Sequence, residues 1–205
     1  MARKAVARFV YRDGVLPVNV ERMERSRTTA DARSANFSWF DYEVMMADRE
    51  RLARYSADIA AVVKGARVLE IGTGPVGYLT SLCLSMGAAS VHTIEANAHA
   101  ASVARSALSQ PISEGRCVLF EGWSREFGPV DAGGEQHFDV LVAELYDTVA
   151  SRENVVETIA DLYSRGFTFG KVVSRGYESF VVPAAPVRRW PRSPVALALG
   201  GWVGV

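Results

Sequence analysis

The sequence predicts an α/β fold built on a doubly wound, mostly parallel sheet, preceded by an N-terminal hairpin and helices. Two observations carry this. From residue 67 onward, short β-rich runs alternate with helical ones at spacings that suit right-handed crossovers. A glycine-rich turn, Gly72-Thr73-Gly74-Pro75-Val76-Gly77, then separates the first of these strands from its helix. The chain has 205 residues, of which 49% are hydrophobic, enough for one domain to bury its own core. Its 23 Lys and Arg balance 23 Asp and Glu, so no net field draws it to nucleic acid or to a membrane surface. Cys83 and Cys117 lie in apolar stretches without ligand spacing, so neither a disulfide framework nor a zinc or other metal site is expected.

Taken in order, residues 6–11 and 15–20 are β-rich and flank Asp13-Gly14, a pair that favours a tight turn, so a hairpin is expected there. Eight Lys and Arg against four acids make residues 1–33 locally basic, as a solvated face would be. Over residues 42–63, Val44, Met45, Leu52, Tyr55, Ile59 and Val62 recur at helical spacing, which predicts one long helix or a bent pair. Strands follow at 67–71, 90–94, 117–120 and 138–143, with helices at 78–86 and 98–108. A helix at 153–163 and a fifth strand near 171–174 complete the pattern. The proline- and glycine-rich tail forms no regular element in this reading, and its apolar run at 195–205 is too short to span a bilayer. The expected organisation is an N-terminal segment (1–40), a ligand-binding domain (41–183) and an irregular tail (184–205). No apolar leader opens the chain, so a soluble, intracellular protein of cytoplasm or nucleus is expected.

Glycines at a strand-to-helix turn let a ligand approach the backbone where a β-carbon would block it. Two cofactors compete for Gly72 and Gly74. A dinucleotide would set its pyrophosphate on the helix N-terminus and a ribose on an acid about twenty residues on, a place filled by Glu95. S-adenosyl-L-methionine would use the same Glu95. Glu70, two residues before the first glycine, favours the second cofactor, because a carboxylate there repels a dianion and suits an ammonium and a sulfonium. After the third strand, Phe120 to Glu126 face the nucleoside base, where Trp123 or Phe120 can pack on adenine and Ser124 or Glu126 can meet its edge.

The fourth strand ends in Glu144, and Glu153 follows nine residues later. Two carboxylates at that end of the sheet can grip a planar guanidinium, align one nitrogen with a sulfonium methyl and steady the positive charge during transfer. On the preceding helix, Met45, Asp48, Arg51 and Tyr55 share a face. Arg51 can pair there with the cofactor carboxylate while Met45 covers the sulfonium end; alternatively, Asp48 and Arg51 simply bridge each other.

Together these residues resemble the protein arginine methyltransferases over residues 40–153, with a looser continuation to 183. Met45-Met46-Ala47-Asp48-Arg49-Glu50-Arg51-Leu52-Ala53-Arg54-Tyr55 is similar to the family's M-L-x-D-x-x-R-x-x-x-Y helix. Val68-Leu69-Glu70-Ile71-Gly72-Thr73-Gly74 is similar to its cofactor loop, in which Gly77 stands one residue beyond the usual third glycine. Ala143-Glu144-Leu145-Tyr146-Asp147-Thr148 with Glu153 resembles its double-glutamate hairpin, in the form of the branch that makes monomethylarginine. The resemblance implies a class I Rossmann-like methyltransferase domain that uses S-adenosyl-L-methionine to methylate arginine in a protein or peptide. Arg51 would bind the cofactor carboxylate, Glu95 its ribose, and Glu144 and Glu153 the guanidinium. The family continues into a β-barrel with a Thr-His-Trp loop and a dimerisation arm. Residues 184–205 look unlike barrel strands, and His92, His99 and His137 have no such context, so a chain lacking that barrel is expected and its oligomeric state stays open. A small guanidine or amine substrate, and a cofactor-binding protein without turnover, remain the alternatives.

Overall fold

The computed structural model describes residues 5–10, 39–145, 155–173 and 176–181. Its centre is a five-stranded sheet of β2 (Arg67–Ile71), β3 (Ser90–Glu95), β4 (Cys117–Glu121), β5 (His137–Ala143) and β6 (Thr168–Val173). The strands lie in the order β4-β3-β2-β5-β6, and every neighbouring pair is parallel. The order runs outward in one direction from β2 through β3 to β4 and in the other through β5 to β6. That reversal between β2 and β5 opens a crevice above their carboxyl ends, where doubly wound sheets bind ligands.

Alternation along the strands sorts the core into two layers. Val68, Val140 and Val142 face one side, where they meet Leu79 and Cys83 of helix α3 (Tyr78–Ser85) and Tyr55 and Ile59 of α2 (Arg49–Ala60). Leu69, Ile71, Leu141 and Ala143 face the other side and meet Val155, Ile159 and Leu162 of α6 (Val155–Ser164). Both faces are therefore apolar, as a parallel sheet sandwiched by helices requires. Helix α4 (Ala98–Ala107) connects β3 to β4 and is followed by the short α5 (Ser109–Ser113), which the periodicity had not announced. Cys83 and Cys117 are buried and unpaired. Among the described residues no helix is long and apolar enough to cross a membrane, and no cluster of His, Cys, Asp and Glu is suited to a metal ion.

The helical run before the sheet is a bent pair, α1 (Trp39–Ala47) and α2. Asp48 makes the bend by leaving helical geometry and capping α2, its Oδ1 accepting the Arg51 backbone N–H at 3.0 Å. The alternative of an Asp48–Arg51 side-chain bridge thus gives way to a side chain-to-backbone cap, and the Arg51 guanidinium is left for another partner. The first strand of the expected N-terminal hairpin is present. β1 (Ala5–Val10) pairs antiparallel with β7 (Gly176–Val181), Ala5 opposite Val181 and Val10 opposite Gly176. Residues 15–20 and the Asp13-Gly14 turn lie outside the described residues. An apolar strand is specified by its own composition, but its partner is chosen by the whole chain.

Replacing Asp48 by Ala removes the cap while keeping helix propensity. The expected loss is about 1 kcal/mol in urea unfolding; an unchanged midpoint would show that packing alone fixes the start of α2.

Candidate functional site

The glycine turn is tight for reasons visible at each position. A β-carbon on Gly72 would stand 3.3 Å from the backbone oxygen of Glu144, so the end of β2 abuts the end of β5 with no side chain between. Gly74 has φ +63°, and a β-carbon there would come within 2.9 Å of the ring of Tyr42. Gly77 serves packing instead: it starts α3, and the space a side chain would need is filled by Leu108. The turn is thus a backbone cradle over the N-terminus of α3, built around Gly72 and Gly74.

Glu95 sits at the carboxyl end of β3 and ties the cradle together. Its Oε2 accepts the Gly74 N–H at 2.8 Å and its Oε1 accepts the Asn97 N–H at 2.8 Å. Burial raises its pKa, and these backbone donors pull it back. An ionised carboxylate has about four acceptor positions, so both oxygens keep capacity for hydroxyl donors after making these bonds.

Glu70 occupies a different place from the one expected. It shares the sheet face of Val68, is fully buried, and points beneath the cradle toward α3. Its Oε2 accepts hydrogen bonds from the hydroxyls of Thr80 and Thr93, the second at 2.8 Å, and Thr93 is linked to Thr73 at 2.6 Å. Its Oε1 has no hydrogen-bond partner. Burial pushes the carboxyl up to about 7, against the opposing pull of the two threonines. A carboxylate with no exposed surface does not meet a ligand in the crevice, so the expected direct contact of Glu70 with a cationic cofactor is corrected to a supporting role under the turn. Strand parity decides this: Leu69 and Ile71 take the opposite face.

Arg51 and Glu144 are brought together. The guanidinium of Arg51, in the first turn of α2, forms an ion pair with the carboxylate at the end of β5, and both side chains are about four-fifths buried. They are 93 positions apart in sequence. A cation and an anion therefore stand side by side at the switch point, next to the cradle. Met45, in α1, is half-buried, and its carbonyl accepts the Asp48 N–H at the bend. Glu153 lies outside the described residues, as do Tyr146, Asp147 and Thr148.

Beyond β4 the chain turns at Gly122. Glu126 closes this turn by accepting the Trp123 N–H at 2.8 Å, and the Arg125 guanidinium lies 4.8 Å from the centre of the Trp123 ring. Phe120 packs edge-on against Phe127 and lies partly buried against the core. Ser124 is half-buried in this turn, at the β4 end of the sheet.

Several contributors were not singled out from the sequence. Tyr42, buried in α1, lies over Gly74, and its hydroxyl is pushed up to about 12 by burial and then by the Glu70 charge. Thr80 and Thr93 look ordinary in apolar segments; only their register places them against Glu70. An acid inside the apolar strand 67–71 was the available signal that polar partners were needed.

The sheet order and the glycine turn define a class I Rossmann-like, parallel α/β fold, the fold shared with the solved methyltransferase structures that follow. Among solved structures, this chain is similar to Arabidopsis thaliana protein arginine methyltransferase 10, with TM-score 0.56 and 20% identity over 67% of this chain and 38% of that one. It is similarly related to the Trypanosoma brucei PRMT1 enzyme-prozyme heterotetrameric complex with AdoHcy, with TM-score 0.55 and 20% identity over 66% of this chain and 41% of that one. PRMT6 gives TM-score 0.53 and 19% identity over 63% and 42% of the two chains. The chain thus spans about two-fifths of the length of these proteins. No family model and no curated protein matches the sequence.

The Glu70 carboxyl has a pH signature. Its folded pKa of about 7 exceeds the ordinary 4.5, so the folded state holds an extra proton between those values and stability falls as pH rises through that window. Relative to Glu70→Gln, the wild type should lose roughly 2–3 kcal/mol between pH 5 and pH 8 in urea unfolding. A difference between the two proteins that does not change with pH would show that the carboxyl titrates normally.

Proposed function

We propose that the protein is an S-adenosyl-L-methionine-dependent methyltransferase whose acceptor is the guanidinium of an arginine in a protein or peptide. The observation that carries this reading is the Arg51–Glu144 ion pair beside the glycine cradle. A binder of a phosphorylated dinucleotide has no evident need for a carboxylate at that point, whereas an amino-acid cofactor and a cationic acceptor need one charge of each sign.

The residues present suit this cofactor. Gly72 and Gly74 allow backbone approach above the α3 N-terminus, and Glu95 offers acceptor capacity to two ribose hydroxyls. Arg51 carries five donors in a planar fork, enough to hold an amino-acid carboxylate without releasing Glu144. Trp123 and Ser124 flank the place where the base belongs. When bound, the cofactor supplies an electrophilic methyl group on a sulfonium. This chain's residues supply the rest. Glu144, oriented by its ion pair with Arg51, accepts hydrogen bonds from the acceptor guanidinium, and Glu153 is assigned as the second carboxylate by the sequence resemblance. Two such contacts fix the plane of a weak nucleophile and stabilise its charge, so that one nitrogen faces the methyl in line.

Several likenesses support the same reading: the fold is shared with arginine methyltransferases, and one of them was solved with AdoHcy. The acceptor class rests on the glutamates and on the sequence motifs.

Titration calorimetry should show S-adenosylmethionine binding and no comparable binding of NAD; the reverse result would overturn the cofactor assignment. Arg51→Gln should weaken that binding by about tenfold or more. Glu144→Gln should leave cofactor affinity within about threefold and lower methyl transfer to an arginine-rich peptide by about a hundredfold. Undiminished transfer by Glu144→Gln would remove the carboxylate from the chemistry, and a preference for free arginine over the peptide would reassign the acceptor.

A further inference from the structure

The connection from β4 to β5, residues 122–136, crosses two strands of the sheet without a single helical residue. In a helix the carbonyls of such a crossover would be satisfied internally; here the carbonyls of Trp123, Gly128, Pro129 and Val130 accept from N–H groups of the same connection, and others turn to outside donors. Two arginines provide them. Arg67 donates from its guanidinium to the carbonyls of Ala132, Glu135 and His137, at the end of the connection that leads into β5. Arg165, just after α6, serves the other end. Its Nη2 donates to the Ser124 carbonyl at 2.8 Å and its Nη1 to the Phe127 carbonyl at 2.6 Å. Its Nε donates to Asp161 at 3.0 Å, which fixes the fork, and its own carbonyl accepts from Gln136 at 2.8 Å. The Arg165 side chain is 28% exposed, so these bonds form largely out of water.

We infer that Arg165 is a positioning residue for cofactor binding: it holds the Trp123-Ser124 turn at the height and angle at which that turn meets the nucleoside base. This rests on the cofactor reading above and extends it to a residue outside the crevice. Within the turn itself, Glu126 holds the Trp123 N–H and closes the loop locally. That local bond sets the shape of the turn but not its position on the sheet. The tie from Ser124 and Phe127 to α6 supplies the position. A lysine has the charge to pair with Asp161 but no planar fork that reaches two carbonyls at once.

The test uses the 205-residue chain and two ligands, S-adenosylhomocysteine and 5′-deoxy-5′-methylthioadenosine, the second of which keeps base and ribose but lacks the amino-acid group. Dissociation constants are read by calorimetry well below each variant's unfolding temperature. Arg165→Gln should weaken both ligands by the same factor, about tenfold, and Arg165→Lys by about threefold. Arg51→Gln, which removes the contact proposed for the cofactor carboxylate, should weaken S-adenosylhomocysteine alone. Trp123→Ala should weaken both ligands, as a base-side contact requires. Should Arg165→Gln and Arg165→Lys keep both constants within about twofold while the unfolding temperature drops, Arg165 holds the fold only and the inference fails. It fails equally if Arg165→Gln weakens S-adenosylhomocysteine but not the methylthio compound. If Arg165→Gln does not fold, the Arg165→Lys result decides by itself. If the wild type binds neither ligand, the cofactor reading falls and this inference falls with it.

Discussion

The end of β2 and the end of β5 touch, and most of the site depends on that contact. With no side chain on Gly72, the Glu144 backbone can lie against the cradle, and the Glu144 carboxylate then reaches Arg51. The sheet order places these two strands side by side although some seventy residues of chain separate their ends. A larger residue at position 72 would be strained by the positive φ and would ask the Glu144 backbone to give way by a few tenths of an ångström. A backbone contact thus sets the distance over which the charged groups act.

The interior charges cost free energy, and the fold offsets that cost with hydrogen bonds rather than with solvent. Glu70 is held by two threonines and still leaves one oxygen without a partner. Arg67 is desolvated enough for its pKa to be lowered, yet it donates to three carbonyls and lies 3.9 Å from the Phe138 ring centre. Such groups are tolerated where irregular backbone has to be secured, which here means the glycine turn and the helix-free crossover. Apolar packing builds the two layers of the sheet, and polar contacts secure the segments that connect them.

Much of this architecture was legible in the sequence because it is local. Strand runs at 67–71 and 90–94, the helices after them and the glycine turn follow from periodicity and turn chemistry over a few residues each. Glu95 and the cradle glycines were identified the same way. What was not legible depended on partners far along the chain. Residues 6–11 read as a strand, but nothing local announced that the strand over 5–10 would pair with 176–181. Glu70 read as a crevice residue because its position relative to the glycines was visible while the sheet face it occupies was not. Tyr42 gave no signal at all, since its place over Gly74 depends on where the chain bends at Asp48. Arg165 was not singled out from the sequence, and its bonds to the Ser124 and Phe127 carbonyls appear only once the crossover lies beside it.

The bend at Asp48 makes the two N-terminal helices structurally separable. Because the aspartate supplies the first hydrogen bond of α2 from its own side chain, that helix begins without borrowing a turn from α1. The phase of α2, and with it the direction in which Arg51 projects, is set locally and by the core residues Tyr55 and Ile59. A change in length or pitch within α1 would therefore alter how Tyr42 covers the glycine turn, while the arginine four-fifths buried at the crevice keeps its aim.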